Sequence, residues 1–109
     1  MALVSEKDVE DALAILADET GAASRAAHEY FDSLSKSVLA ELMQESNETS
    51  ATAKETWARA QPKFIEHLKQ VGKFAREDYS WRQRYSAADA KIRLFQTASA
   101  NNRRADNLR

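Results

Sequence analysis

The chain has 109 residues, two glycines, one proline, no cysteine and a formal charge of −1. So few turn formers exclude a β protein and point to an all-α fold, while the lack of cysteine excludes a disulfide frame, a thiolate nucleophile and a Cys-based zinc site. The charge is sorted: residues 1–50 carry three basic side chains (Lys7, Arg25, Lys36) against eleven acidic ones, and residues 51–109 carry thirteen against six. Such asymmetry implies either a basic surface for a polyanion or two oppositely charged segments that fold onto each other.

Ser5, with Asp8 three positions on, marks a helix start, and Val9, Leu13, Ile15 and Leu16 predict about three turns ending at Asp18 or Glu19. Thr20-Gly21 is the next punctuation, because glycine tolerates the positive φ that ends or bends a helix. From Ala23 to Met43 the apolar positions Ala23, Ala27, Phe31, Leu34, Val38 and Leu42 recur at helical spacing and predict a second helix with one stripe. The polar run from Glu45 to Ser50 is the loop where the chain reverses. Thr52 and Glu55 are spaced as a capping box for a short helix carrying Trp57, and Pro62 suits the first turn of the last helix. Gln61, ahead of the proline, is pushed out of the α region, so a break falls between Ala60 and Pro62.

The last helix carries one stripe of Phe64, Leu68, Val71 and Ala75 and another of Trp81, Tyr85, Ala88, Ile92 and Phe95, offset by roughly a quarter turn. That offset predicts a helix that wraps a partner, shifts phase near Asp78 to Ser80, or breaks there, with Gly72 and Ser80 the weak points. After Ala98 the pattern dissolves. Asn101 or Asn102 is expected to take a left-handed cap, giving a single helical domain at 1–100 and a frayed basic tail at 101–109. The whole reads as a long antiparallel helical hairpin with short extra helices. A hairpin buries only one seam, so an oligomeric helical bundle is expected, with Trp81, Tyr85, Ile92 and Phe95 between protomers.

His28 and His67 lie in different helices, outside any metal-ligand spacing, and read as surface histidines. His28 and Asp32, one turn apart, are two ligands of an incomplete set, so no metal is expected. With no carboxylate pair in a recognisable cleft, no Gly-rich phosphate loop and no Ser/His/Asp order, the chain reads as non-enzymatic, without cofactor or small-molecule substrate. In the basic half, Arg82, Arg84, Lys91, Arg93, Arg103 and Arg104 interleave with Tyr79, Trp81, Tyr85 and Phe95, the mixture that holds a phosphate backbone and stacks on bases. These are the candidate contacts for nucleic acid or a partner. The plainer alternative is a solvated helix face whose charge is balanced by the acidic second helix. The N-terminus lacks the basic start and apolar core of a signal peptide, and no apolar run approaches the roughly 20 residues of a membrane span, so a soluble, cytoplasmic chain is expected.

Two end segments, Ala12-Leu-Ala-Ile-Leu-Ala-Asp18 and Ile92-Arg-Leu-Phe-Gln-Thr-Ala-Ser-Ala-Asn-Asn-Arg-Arg104, resemble those of small helical proteins encoded by tailed bacteriophages and prophages. The closing motif keeps Ala100, Asn101, Asn102 and Arg103. It departs at Phe95-Gln96, where relatives often carry Trp-Arg, so no role for that arginine transfers. What the resemblance implies is a phage early-region protein in the cytoplasm of a bacterial host, encoded near recombination or replication functions but with no established activity. The expectation is a non-enzymatic phage accessory in DNA recombination or replication, acting on nucleic acid or a DNA-processing protein through its basic C-terminal helix and tail. The alternative is a protein-interaction or structural module with no nucleic-acid binding.

Overall fold

The structure, a computed structural model, describes residues 4–107. Among these the chain forms four helices and no strand: α1 (Glu6–Ala17), α2 (Thr20–Glu45), α3 (Ala51–Arg59) and α4 (Pro62–Asn107). None is long and apolar enough to cross a membrane.

The helix ends follow from local side-chain chemistry. At the start of α1, Ser5 Oγ accepts from the Asp8 amide at 3.1 Å and Asp8 Oδ2 accepts from the Ser5 amide at 2.9 Å, the reciprocal capping box read from the sequence. Asp18 then serves two helices. Its amide donates to the Ile15 carbonyl at 3.2 Å to close α1, and its carboxylate accepts from the Thr20 amide at 2.8 Å to open α2. Gly21 has no positive φ and lies inside α2, so it is not the punctuation expected of it. It is needed for close approach: a Cβ at this position would collide with the ring and hydroxyl of Tyr85. That hydroxyl donates to the Asp18 carbonyl at 2.7 Å.

The expected Thr52–Glu55 capping box does not form, because α3 begins earlier. Ser50 Oγ caps it by accepting from the Ala53 amide at 3.1 Å, and Glu55 pairs instead with Arg59 at 2.7 Å. The break before Pro62 is where the proline rule puts it, and the Gln61 carbonyl accepts from the Phe64 and Ile65 amides at 3.1 Å. At the far end α4 runs to Asn107, so Asn101 and Asn102 are helical rather than left-handed caps. Arg109 lies outside the described residues.

The contacts divide the chain into two compact units. The unit from Ala22 to Tyr79 has a core of Leu42, Ala58 and Phe64, against which Val38, Leu39, Met43 and Trp57 pack. Burial of a leucine or phenylalanine of this kind contributes roughly 1.5–3 kcal/mol. From this core the contacts between α2 and α4 run in opposite chain order. Glu41 meets Lys63 at 3.7 Å, Ser35 Oγ meets His67 Nε2 at 2.9 Å, Phe31 stacks on Phe74 at 4.7 Å, and His28 Nδ1 meets Asp78 Oδ2 at 2.9 Å. The two helices are therefore antiparallel within this unit. Neither histidine is a surface residue: both are partly buried in the seam with a partner across it.

On α4, Phe64, His67, Val71, Phe74 and Asp78 in one unit and Trp81, Tyr85, Ala88, Ile92, Phe95 and Ser99 in the other are covered at alternating steps of three and four, with Gln70, Gly72 and Ala75 covered in part beside the first set. In α2, Gly21, Ser24, His28, Phe31, Ser35, Val38 and Leu42 are covered at the same alternation, and Ala27, Leu34, Leu39 and Met43 beside them are covered in part. This is the heptad spacing of a coiled-coil seam. The expected offset between two stripes disappears once the exposed Leu68 is left out and the covered His67 and Asp78 are counted. No phase shift or break occurs at Asp78 to Ser80, and Gly72 and Ser80 are both helical.

The second unit joins the segment up to Gly21 with the segment from Ser80. Its buried apolar residues are Val4, Ala12 and Ala88, small side chains that suit close helix approach. Asp8 is held below its usual carboxylate value, first by accepting from the Ser5 amide and hydroxyl and in smaller part by Lys91. Asp18 is lowered in the same way by Thr20, with a smaller contribution from Arg84.

Replacing a helical glycine by alanine ordinarily stabilises by about 1 kcal/mol. Gly21→Ala is expected to do the opposite, costing about 1–3 kcal/mol in denaturant melts because Tyr85 must leave its site, and to cost far less in a Tyr85→Ala background. Because both aspartates have lowered folded values, their capping contribution is complete above the ordinary aspartate range and is lost as pH falls through the lowered values. Helical circular dichroism is expected to fall on acidification below that range, with a smaller change in a chain carrying Asp8→Ala and Asp18→Ala.

Candidate interaction surfaces

The six basic residues singled out by sequence, Arg82, Arg84, Lys91, Arg93, Arg103 and Arg104, are all exposed on α4. Their surroundings differ. Arg84 lies over the Trp81 ring, 4.2 Å from its centre, which occupies both the cation and one face of the aromatic. Its charge also bears on Asp18, and that of Lys91 bears on Asp8. Arg93 Nε pairs with Asp89 Oδ2 at 3.0 Å, one turn away on the same helix. A surface pair of this kind contributes only about 0–1 kcal/mol, but it sets a carboxylate beside Arg93 and offsets that charge locally. Arg103 and Arg104 stand apart: among the described residues neither forms an ion pair, and the turns around them are exposed on every side. Cations near a helix C-terminus also offset its dipole, which is reason enough for two arginines there.

Trp81, Tyr85, Ile92 and Phe95, the residues assigned to a subunit interface, are half-buried within their own chain on the continuous seam of α4. Trp81 and Tyr85 lie with ring centres 6.0 Å apart, and Tyr85 is further held by Gly21 and the Asp18 carbonyl. His28 meets Asp78 rather than Asp32, which stays exposed. Among the described residues no three His, Cys, Asp or Glu side chains come together as a metal site would require.

A second apolar surface was missed by sequence reading. On α4, Ile65, Leu68 and Tyr79 are exposed, and with Gly72 and Ala75 they repeat at steps of three and four beside the seam. The spacing was visible, but Leu68 and Ala75 had been spent on the seam. A shallow groove lies along this face, lined by Ile65, Leu68, Lys69, Gly72 and Arg76. On α1, Leu13 and Leu16 are likewise exposed, Leu16 at the edge of the face that buries Ala12 and Leu13 beyond it.

No protein-family model, no curated protein and no solved structure matches this chain.

Proposed function

We propose that the chain is a non-enzymatic helical interaction module, a long antiparallel hairpin that assembles with other helices rather than holding a polyanion along its length. The observation that carries this reading is the company of the α4 cations. Arg93 pairs with Asp89 at 3.0 Å, Arg84 lies on the Trp81 ring, and Asp8 and Asp18 are near enough to Lys91 and Arg84 for these cations to make a minor contribution to their lowered values. A phosphate backbone approaching this strip would meet those carboxylates too, and the counterion release that drives such binding would be small. The exposed Leu13, Leu16, Ile65, Leu68 and Tyr79 supply instead the apolar surface on which helices associate. Together with the resemblance of its end segments, this suggests an accessory protein of a tailed phage, working in the bacterial cytoplasm through protein contacts.

A second reading rests on Arg103 and Arg104, adjacent and exposed, with no ion pair among the described residues although Asp106 follows within one turn. It confines nucleic-acid contact to the end of α4. Fluorescence anisotropy with labelled single- and double-stranded DNA at about 50 mM salt, where phosphate contacts are strongest, separates the two. The interaction-module reading expects no saturable binding in the micromolar range. Saturable binding that is lost with Arg103→Ala and Arg104→Ala, and kept with Arg93→Ala, would replace it with the second.

A further inference from the structure

The exposed face of α4 within the unit from Ala22 to Tyr79 has the form of a second helix-packing seam. Ile65, Leu68, Gly72, Ala75 and Tyr79 follow the same three-four alternation as the covered seam, yet Leu68 is 47% exposed and Tyr79 66%. A helix with two such faces ordinarily packs against two neighbours. Gly72 lies at the centre of the face. Glycine inside a helix is destabilising, and among the described residues nothing requires it here, since a Cβ would meet only the Arg76 guanidinium, at 3.8 Å. What the glycine does is open the groove between Leu68 and Arg76, where another helix can approach closely.

Charge indicates which helix. The charged residues that line the groove, Lys69 and Arg76, are both basic, so two copies of this face would set like charges together. An acidic helix with two apolar side chains one turn apart is the complement, and α1 is one. It exposes Leu13 (53%) and Leu16, with Glu6 and Glu10 beside Leu13 on the same side of the helix. We infer that α1 of one copy docks into the Gly72 groove of a second, the two reciprocal contacts closing a two-fold dimer. The inference rests on the reading of the chain as an interaction module and adds the partner and both surfaces.

Sedimentation equilibrium of the intact chain across micromolar concentrations tests it. Twice the mass of one chain is expected, falling to a single mass for Leu68→Glu and for Leu13→Lys with Leu16→Lys, with unchanged circular dichroism because all three side chains are exposed. Gly72→Leu is expected to raise the thermal midpoint of the monomer, by removing a helix-weakening glycine, and yet abolish association by filling the groove. Lys69→Glu with Arg76→Glu should separate the copies, and adding Glu6→Lys with Glu10→Lys to the same chain should restore the dimer. A wild-type chain that stays monomeric overturns the inference while leaving the interaction-module reading to the DNA measurement. A dimer that survives Leu68→Glu also overturns it, as does one lost with Leu68→Glu but kept with the α1 changes, which would mean that the groove pairs with itself.

Discussion

A carboxylate buried between two helices sets the terms for the unit from Ala22 to Tyr79. Asp78 is 3% exposed, and a charge so placed is costly unless it is paired and hydrogen-bonded. His28 meets it at 2.9 Å from the opposite helix. Further along the seam, His67 meets Ser35 at the same distance. These polar contacts admit few alternative alignments. A slip of one heptad in one direction would set His28 opposite Val71 and Asp78 opposite Gly21, leaving the carboxylate against a residue with no side chain. The apolar members of the seam, Phe31 on Phe74 and Leu42 on Phe64, supply attraction but tolerate such slips better. Polar residues thus specify which alignment the apolar ones hold.

The rest of the surface follows from how narrow that seam is. α2 contributes the small Ser24, Ala27 and Ser35 to it, and small residues bring helices close while burying little apolar area. The larger side chains collect at the loop end, around Leu42, Ala58 and Phe64. Others stay outside: Ile65, Leu68 and Tyr79 on α4, and Leu13 and Leu16 on α1. The sorted charge of the chain has the same logic. Asp8 of α1 and Asp18 beyond its end lie near Lys91 and Arg84 in one unit, and Glu41 of α2 meets Lys63 in the other. Opposite charges in the two halves of the sequence therefore describe pairing between helices at least as well as they describe a polyanion surface.

Much of the fold was legible where its cause was local. Ser5 with Asp8, the loop before Ser50 and the break before Pro62 all depend on residues within a turn of one another, and each is found. The α2 stripe was legible in part: Ala27, Phe31, Leu34, Val38 and Leu42 are covered, but Ala23 is exposed, and the polar Ser24, His28 and Ser35 that share the covered side do not show in an apolar pattern. What was not legible depends on distant residues. His28 looks like a surface residue until Asp78, fifty positions away, is set against it. Gly21 looks like a helix stop until Tyr85 arrives from α4. The exposure of the basic residues could be read from their spacing, but not the carboxylates that α1 brings to them. The second face of α4 was hidden by a misassigned seam, since Leu68 can be counted on either face until His67 is known to be covered.

The central claim is that the His28–Asp78 contact fixes the alignment of α2 against α4. Because the chain has no native cysteine, cysteines placed at the exposed Lys36 and Lys69 can carry spin labels without competition. Pulsed electron-electron resonance then reads the distance between the two helices. One narrow distance distribution is expected for the parent chain, and a broadened or multiple one when His28→Leu and Asp78→Leu are combined, even if thermal stability is retained. A distribution that stays single and equally narrow in the doubly apolar variant would contradict the account.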